Sequence, residues 1–200
     1  KLWYLKHMEQ ILTFPTYIYY KDLDLDIDVI RKCIVNNTID DGRQINFTAE
    51  HLDAVDGMQE LVNSIVSNTQ EAVEKWGFKK QPIEFRALWG VTYKEHALIK
   101  QHGHINTWLA GCFYVDTIDN DALILHDPRI RSLQFQSEVE NWNDFNCPIK
   151  KLKAIPGRMY IFPAWLEHST DFVPKGKVRR SVSWNIKIPN NVSGGYGDYA

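Results

Sequence analysis

The period of the apolar positions changes partway along the chain. Between Ala49 and Trp76, the residues Leu52, Val55, Val62, Val66, Val73 and Trp76 recur at helical steps, while Glu60, Glu71 and Glu74 stay off that stripe. The spacing predicts an amphipathic helix laid on a sheet, with Gly57 a weak point. Ile27, Ile30 and Ile34 repeat in the same way and predict a shorter helix over about 24–36. Ahead of it, Thr16-Tyr17-Ile18-Tyr19-Tyr20 is aromatic and β-branched, which suits a strand.

Beyond Pro82 the period shortens. Aromatic and β-branched runs at about 83–93, 104–115, 122–126, 133–136, 149–154, 158–162, 167–173 and 178–188 alternate with turn residues such as Pro156-Gly157 and Pro174-Lys175-Gly176. Short strands closing the chain, with helices confined to its first part, predict a mainly β fold: a jelly roll buttressed by N-terminal helices on one face.

Composition narrows the picture. A chain of 200 residues, 44% hydrophobic, has room for one domain with a substantial core, here expected over 8–200, residues 1–7 reading as the remnant of an expression tag. A formal net charge of -2 gives no global attraction to nucleic acid, and no apolar run reaches the length of a membrane span. Cys33, Cys112 and Cys147 are widely spaced and odd in number, which argues for free thiols in a reducing, cytoplasmic compartment. Lys150, Lys151, Lys153, Arg129, Arg131, Lys175 and Lys177 read as a solvated basic rim. Oligomeric state is not written in this pattern.

The candidate chemistry lies in the strand-rich half. His102 and His104 are two apart, so on an extended run both imidazoles reach one point, and His168 supplies a third corner. Counting outward from the turn at Pro174 to Gly176 sets His168 opposite Arg179 to Ser181. Arg179, Ser181 and Ser183 then share one face of the last strand, and Val178, Val182, Trp184 and Ile186 the other. A buried arginine needs an anion, and a guanidinium beside a hydroxyl suits a carboxylate. By the same alternation Asn106 is placed to orient a ligand or co-substrate, and Trp108 to line the pocket. Three alternatives stay open: a chance His-x-His, a pair formed by His104 and Asn106, or a carboxylate from Glu95 or Asp127 completing the triad. Asp127 precedes Pro128 and reads better as a turn residue, with Arg129 as its ion-pair partner.

These motifs together resemble the 2-oxoglutarate/Fe(II)-dependent oxygenase family, a relative of the prolyl hydroxylases. The resemblance rests on His102-x-His104 followed by Asn106, the small-residue strand ending Phe113-Tyr114-Val115, Asp127-Pro128-Arg129, Ile161 to His168, and Arg179-x-Ser181 through Asn185. With the opening Ile11 to Thr16, it extends over about 9–188. It implies the double-stranded β-helix form of the jelly roll. It also implies His102, His104 and His168 as Fe(II) ligands, Arg179 and Ser181 on the distal carboxylate of 2-oxoglutarate, and Tyr114 on the same group. Position 104 departs from most members, which carry Asp or Glu there, so Fe(II) would be neutralised by the dianionic co-substrate. The implied activity is hydroxylation of a peptide side chain or small metabolite with release of succinate and CO2. Two rivals remain: a three-histidine cupin-like metal-dependent dioxygenase that takes no keto acid, and a non-catalytic jelly-roll binding protein.

Overall fold

The structure, a computed structural model, describes residues 14–129 and 138–189. In chain order it contains β1 (Tyr19–Asp22), α1 (Ile27–Asn37), β2 (Thr38–Ile39), β3 (Ile45–Thr48), α2 (Gln59–Lys75), β4 (Phe85–Tyr93), β5 (Leu109–Asp116), β6 (Ala122–His126), β7 (Ile149–Lys153), β8 (Arg158–Pro163), β9 (His168–Thr170) and β10 (Arg179–Ile186). The strand expected at 133–136, the opening motif before Phe14, residues 1–7 and Arg131 lie outside the described residues.

A seven-stranded sheet in the order β1-β8-β5-β10-β4-β3-β2 faces a three-stranded sheet in the order β7-β6-β9. Strict alternation along the large sheet separates two interiors. Leu88, Phe113, Val115, Met159, Ile161, Val182, Trp184 and Ile186 point outward and join Ile30, Ile34, Leu61 and Ile65 of the helices in one core. Ala110, Tyr114, Tyr160 and Phe162 point inward and meet Leu123 and Leu125 of the small sheet. The expected mainly β jelly roll with helices on one face is the fold observed.

Helix α1 starts where Asp26 caps it, its carboxylate accepting from the Asp28 and Val29 amides at 3.0 and 3.1 Å. The stripe expected over Ala49 to Trp76 is divided. Leu52–Ala54 forms a single 3-10 turn, Gly57 takes a φ of 94°, and α2 begins afresh at Gln59. Its buried stripe is therefore Leu61, Ile65, Thr69, Ala72 and Val73, with Val62 and Val66 only half-buried.

The expected hairpin between His168 and Arg179 is not formed. Strand β9 pairs with β6 in the small sheet, while β10 lies between β4 and β5 in the large one. The turn at Pro174 to Gly176 carries the chain from one sheet to the other, which opens a cavity between His168 and Arg179 instead of closing them side by side.

Candidate metal centre and adjoining cavity

His102 and His104 precede β5 on a segment held by backbone bonds. The His102 amide donates to the His168 carbonyl at 3.0 Å, the His168 amide returns the bond at 2.8 Å, and the His104 amide donates to the Ala164 carbonyl at 2.9 Å. This two-way bridge brings residues 66 positions apart into register, so His102 and His168 stand side by side before any ligand is considered.

Ring nitrogens of His102, His104 and His168 all lie within 4.8 Å of one another, the one such cluster of metal-binding groups among the described residues. Nδ1–H of His102 donates to the Lys100 carbonyl at 2.8 Å, and Nδ1–H of His168 donates to the Leu166 carbonyl at 3.0 Å. Each bond fixes the tautomer that leaves the Nε2 lone pair free. The Nε2 atoms of His104 and His168 are 3.3 Å apart, within the roughly 3.0–3.4 Å expected of two nitrogens bound at about 2.1 Å to one ion. Burial pushes the pKa of His104 and of His168 down to about 4, so both rings are neutral and able to ligate near neutral pH. The residues present therefore fit a divalent transition metal.

A cavity of about 210 Å³ runs from these histidines to Arg179, Ser181 and Tyr114. Arg179 is 1% exposed, and its Nη1 donates to Asp121 Oδ1 at 2.8 Å. The guanidinium carbon lies over the Tyr93 ring, 4.0 Å from its centroid. Its Nη2 is buried without a partner. Such a donor is costly unless an acceptor meets it, and Arg179 lines the cavity, where a carboxylate would supply one. Ser181 lines the cavity beside Arg179, and burial drives the Tyr114 phenol well above its usual range, so it stays a donor. A second, open cleft of about 650 Å³ shares Phe47, Trp89 and His104 with this cavity and leads to solvent.

The structure gathers every expected site residue but two. Asn106 has a φ of 53°, is exposed, and offers its carbonyl to Arg86 at 2.6 Å, away from the cavity. The turn at Ile105 and Asn106 resets the alternation, so Trp108 packs with the helix-side core instead of lining the pocket. Neither proposed carboxylate reaches the centre: Glu95 accepts from the Gly176 amide at 2.7 Å, and Asp127 pairs with Arg129 at 2.7 Å. Asp121 and Tyr93 went unnoticed in the sequence, because each acquires meaning only against Arg179.

Residues 87–185 match the sequence model of a family described as "Putative 2OG-Fe(II) oxygenase", a span that holds all three histidines, Arg179 and Ser181. This match supports reading the chain as a 2-oxoglutarate/Fe(II) oxygenase. The oxygenase is similar in fold to HygX from Streptomyces hygroscopicus, solved with nickel, 2-oxoglutarate and hygromycin B bound: 10% identity, 88% of this chain and 84% of that one, TM-score 0.65. A Pseudomonas putida prolyl-4-hydroxylase matches at 10% identity over 86% of this chain and 94% of that one, TM-score 0.57. The epimerase SnoN from nogalamycin biosynthesis matches at 11% identity over 86% and 76%, TM-score 0.61. No curated protein matches the sequence. The oxygenase depends on Fe(II) and 2-oxoglutarate, and among the described residues no helix is long and apolar enough to cross a membrane.

Proposed function

We propose that the oxygenase hydroxylates a C–H bond of a small-molecule or peptide substrate, with His102, His104 and His168 holding Fe(II) and Arg179, Ser181 and Tyr114 holding the far carboxylate of 2-oxoglutarate. The observation that carries this reading is one 210 Å³ cavity lined both by a three-imidazole cluster and by Arg179, whose guanidinium keeps one nitrogen without a partner. Its volume lies below the roughly 300 Å³ at which drug-sized pockets begin, which suits a short diacid.

Bound iron supplies the activation of dioxygen that couples oxidation of 2-oxoglutarate to oxidation of substrate. The balance is substrate C–H plus O2 plus 2-oxoglutarate giving substrate C–OH, succinate and CO2. The protein's own residues orient and shield. Backbone carbonyls of Lys100 and Leu166 hold two imidazoles in the ligating tautomer. The Phe162 ring, edge-on to His168 with centroids 4.9 Å apart, keeps water from that side. Nη2 of Arg179 and the Tyr114 phenol point hydrogen-bond donors at the carboxylate, and substrate enters through the open cleft beside His104 and Trp89.

Succinate release in air, with Fe(II), 2-oxoglutarate and candidate peptide or metabolite pools, tests the assignment. Wild type is expected to form succinate, and Arg179→Ala to lose at least tenfold in kcat/KM for 2-oxoglutarate, the order of one lost charge-assisted hydrogen bond. Unchanged turnover in Arg179→Ala would overturn it.

A further inference from the structure

Arg179 does not face the cavity as a lone cation. Its side chain and that of Asp121 are 1% and 0% exposed, and the Nη1 to Oδ1 distance is 2.8 Å. The Asp171 carbonyl lies 3.4 Å from the same Nη1, and the guanidinium carbon sits over the Tyr93 ring, 4.0 Å from its centroid. Two atoms of this buried pair lack partners, Arg179 Nη2 and Asp121 Oδ2. Asp121 is itself pinned: its amide donates to the Ile118 carbonyl at 3.1 Å, and its carbonyl accepts from the Ala154 amide at 2.9 Å. It sits directly before β6 of the small sheet, whereas Arg179 opens β10 of the large one, so the pair ties the two sheets together at this end of the cavity.

Two consequences follow from charge and geometry. With Nη1 taken by Asp121 and the Tyr93 ring against the guanidinium, Nη2 is a buried donor still without a partner, and the pairing with Asp121 sets its direction. The two unit charges sum to zero, so an arriving carboxylate finds a fixed donor whose positive field is largely offset by Asp121.

We propose that Asp121 is the positioning and selectivity residue of the co-substrate end: it aims Arg179 at the cavity and holds that end electrically neutral, so that 2-oxoglutarate is recognised by hydrogen-bond geometry and bound more weakly than a bare guanidinium would bind it. The proposal rests on the reading of Arg179 as the carboxylate partner. It separates two contributions of one side chain, aim and charge, which substitutions separate in turn. Asp121→Asn keeps an acceptor for Nη1 and removes the charge; Asp121→Ala removes both.

The experiment uses nickel-loaded protein, which binds ligand without turnover, and measures dissociation constants for N-oxalylglycine by calorimetry at two salt concentrations. 2-Oxopentanoate, which has the keto acid end but no second carboxylate, is the control. Asp121→Asn is expected to bind N-oxalylglycine about tenfold tighter than wild type, the order for removing one nearby unit charge under partial screening, with a steeper loss at high salt. Asp121→Ala is expected to bind it more weakly than wild type, and 2-oxopentanoate to bind all three alike. Asp121→Ser, which leaves room for a water acceptor, carries the same expectation as Asn if Asp121→Asn fails to fold. Equal or weaker binding by the Asn and Ser variants, with wild type binding normally, overturns this proposal alone. Failure of wild type to bind N-oxalylglycine at all, or binding unaffected by Arg179→Ala, overturns the site assignment as well.

Discussion

At the scale of single residues, the three imidazoles are aimed by the backbone. His102 and His168 each give Nδ1–H to a carbonyl two residues back in the chain, so their Nε2 lone pairs are presented in the metal-free protein. Replacing His168 by Ala should therefore cost more than the roughly ten- to hundredfold in metal affinity typical of residues that only orient a ligand, while leaving the fold intact. Nickel titration followed by calorimetry reads the difference. His104→Asp should keep metal affinity within about tenfold, since a carboxylate oxygen suits the same ion; loss of binding in that variant would show that the third corner needs an imidazole. These residues were legible in the sequence because a short-spaced pair and an Arg-x-Ser pattern survive without knowledge of the fold. Asp121 was not, since nothing in Asp119-Asn120-Asp121 distinguishes a buried counter-ion from a turn. Asn106 and Trp108 were misplaced because strand parity was carried through residues that turn.

Among the elements, periodicity located strands and helices well and their partners poorly. β6 was predicted at 122–126 and is observed at Ala122–His126, yet Pro174 to Gly176 was read as a hairpin between strands that belong to different sheets. Turn residues mark where a chain bends, and long-range packing decides which sheet receives it. The short β2 and β3, missed in the sequence, lack enough alternating positions to stand out. Gly111 exposes the packing logic of the large sheet: a Cβ there would lie 2.3 Å from Cζ2 of the fully buried Trp184 and 2.6 Å from the Tyr160 carbonyl oxygen. Gly111→Ala is expected to lower the unfolding free energy by at least about 1–3 kcal/mol, as overpacking does, measurable by urea denaturation. Asp26→Ala should cost about 1 kcal/mol by removing the α1 cap and leave metal affinity unchanged.

Across the whole molecule, the jelly roll separates its two interiors: one between helices and large sheet gives stability, and a second, apolar but holding the three histidines and Arg179, lies between the sheets and carries the site. Their coupling is visible in pH dependence. Burial lowers His104 and His168 to about 4 in the folded protein, while the unfolded chain protonates near the ordinary value of about 6.5. Between those values the unfolded state binds more protons, so unfolding free energy rises with pH there. Chelated protein should be most stable above pH 6.5 and lose stability steadily as pH falls toward 4, and a His104→Gln/His168→Gln double variant should show a flatter profile. Thermal melts at pH 7.5 and 5 in chelator check both.

The central claim is that one cavity places a metal and the second carboxylate of a keto diacid at opposite ends. Anaerobic addition of 2-oxoglutarate to the Fe(II)-loaded enzyme, followed by visible absorption, tests it most directly. A charge-transfer band should grow to saturation with one equivalent of iron, and Arg179→Ala should require at least about tenfold more 2-oxoglutarate for the same band. A folded, iron-loaded protein that develops no band, or an Arg179→Ala variant that saturates like wild type, would contradict the account.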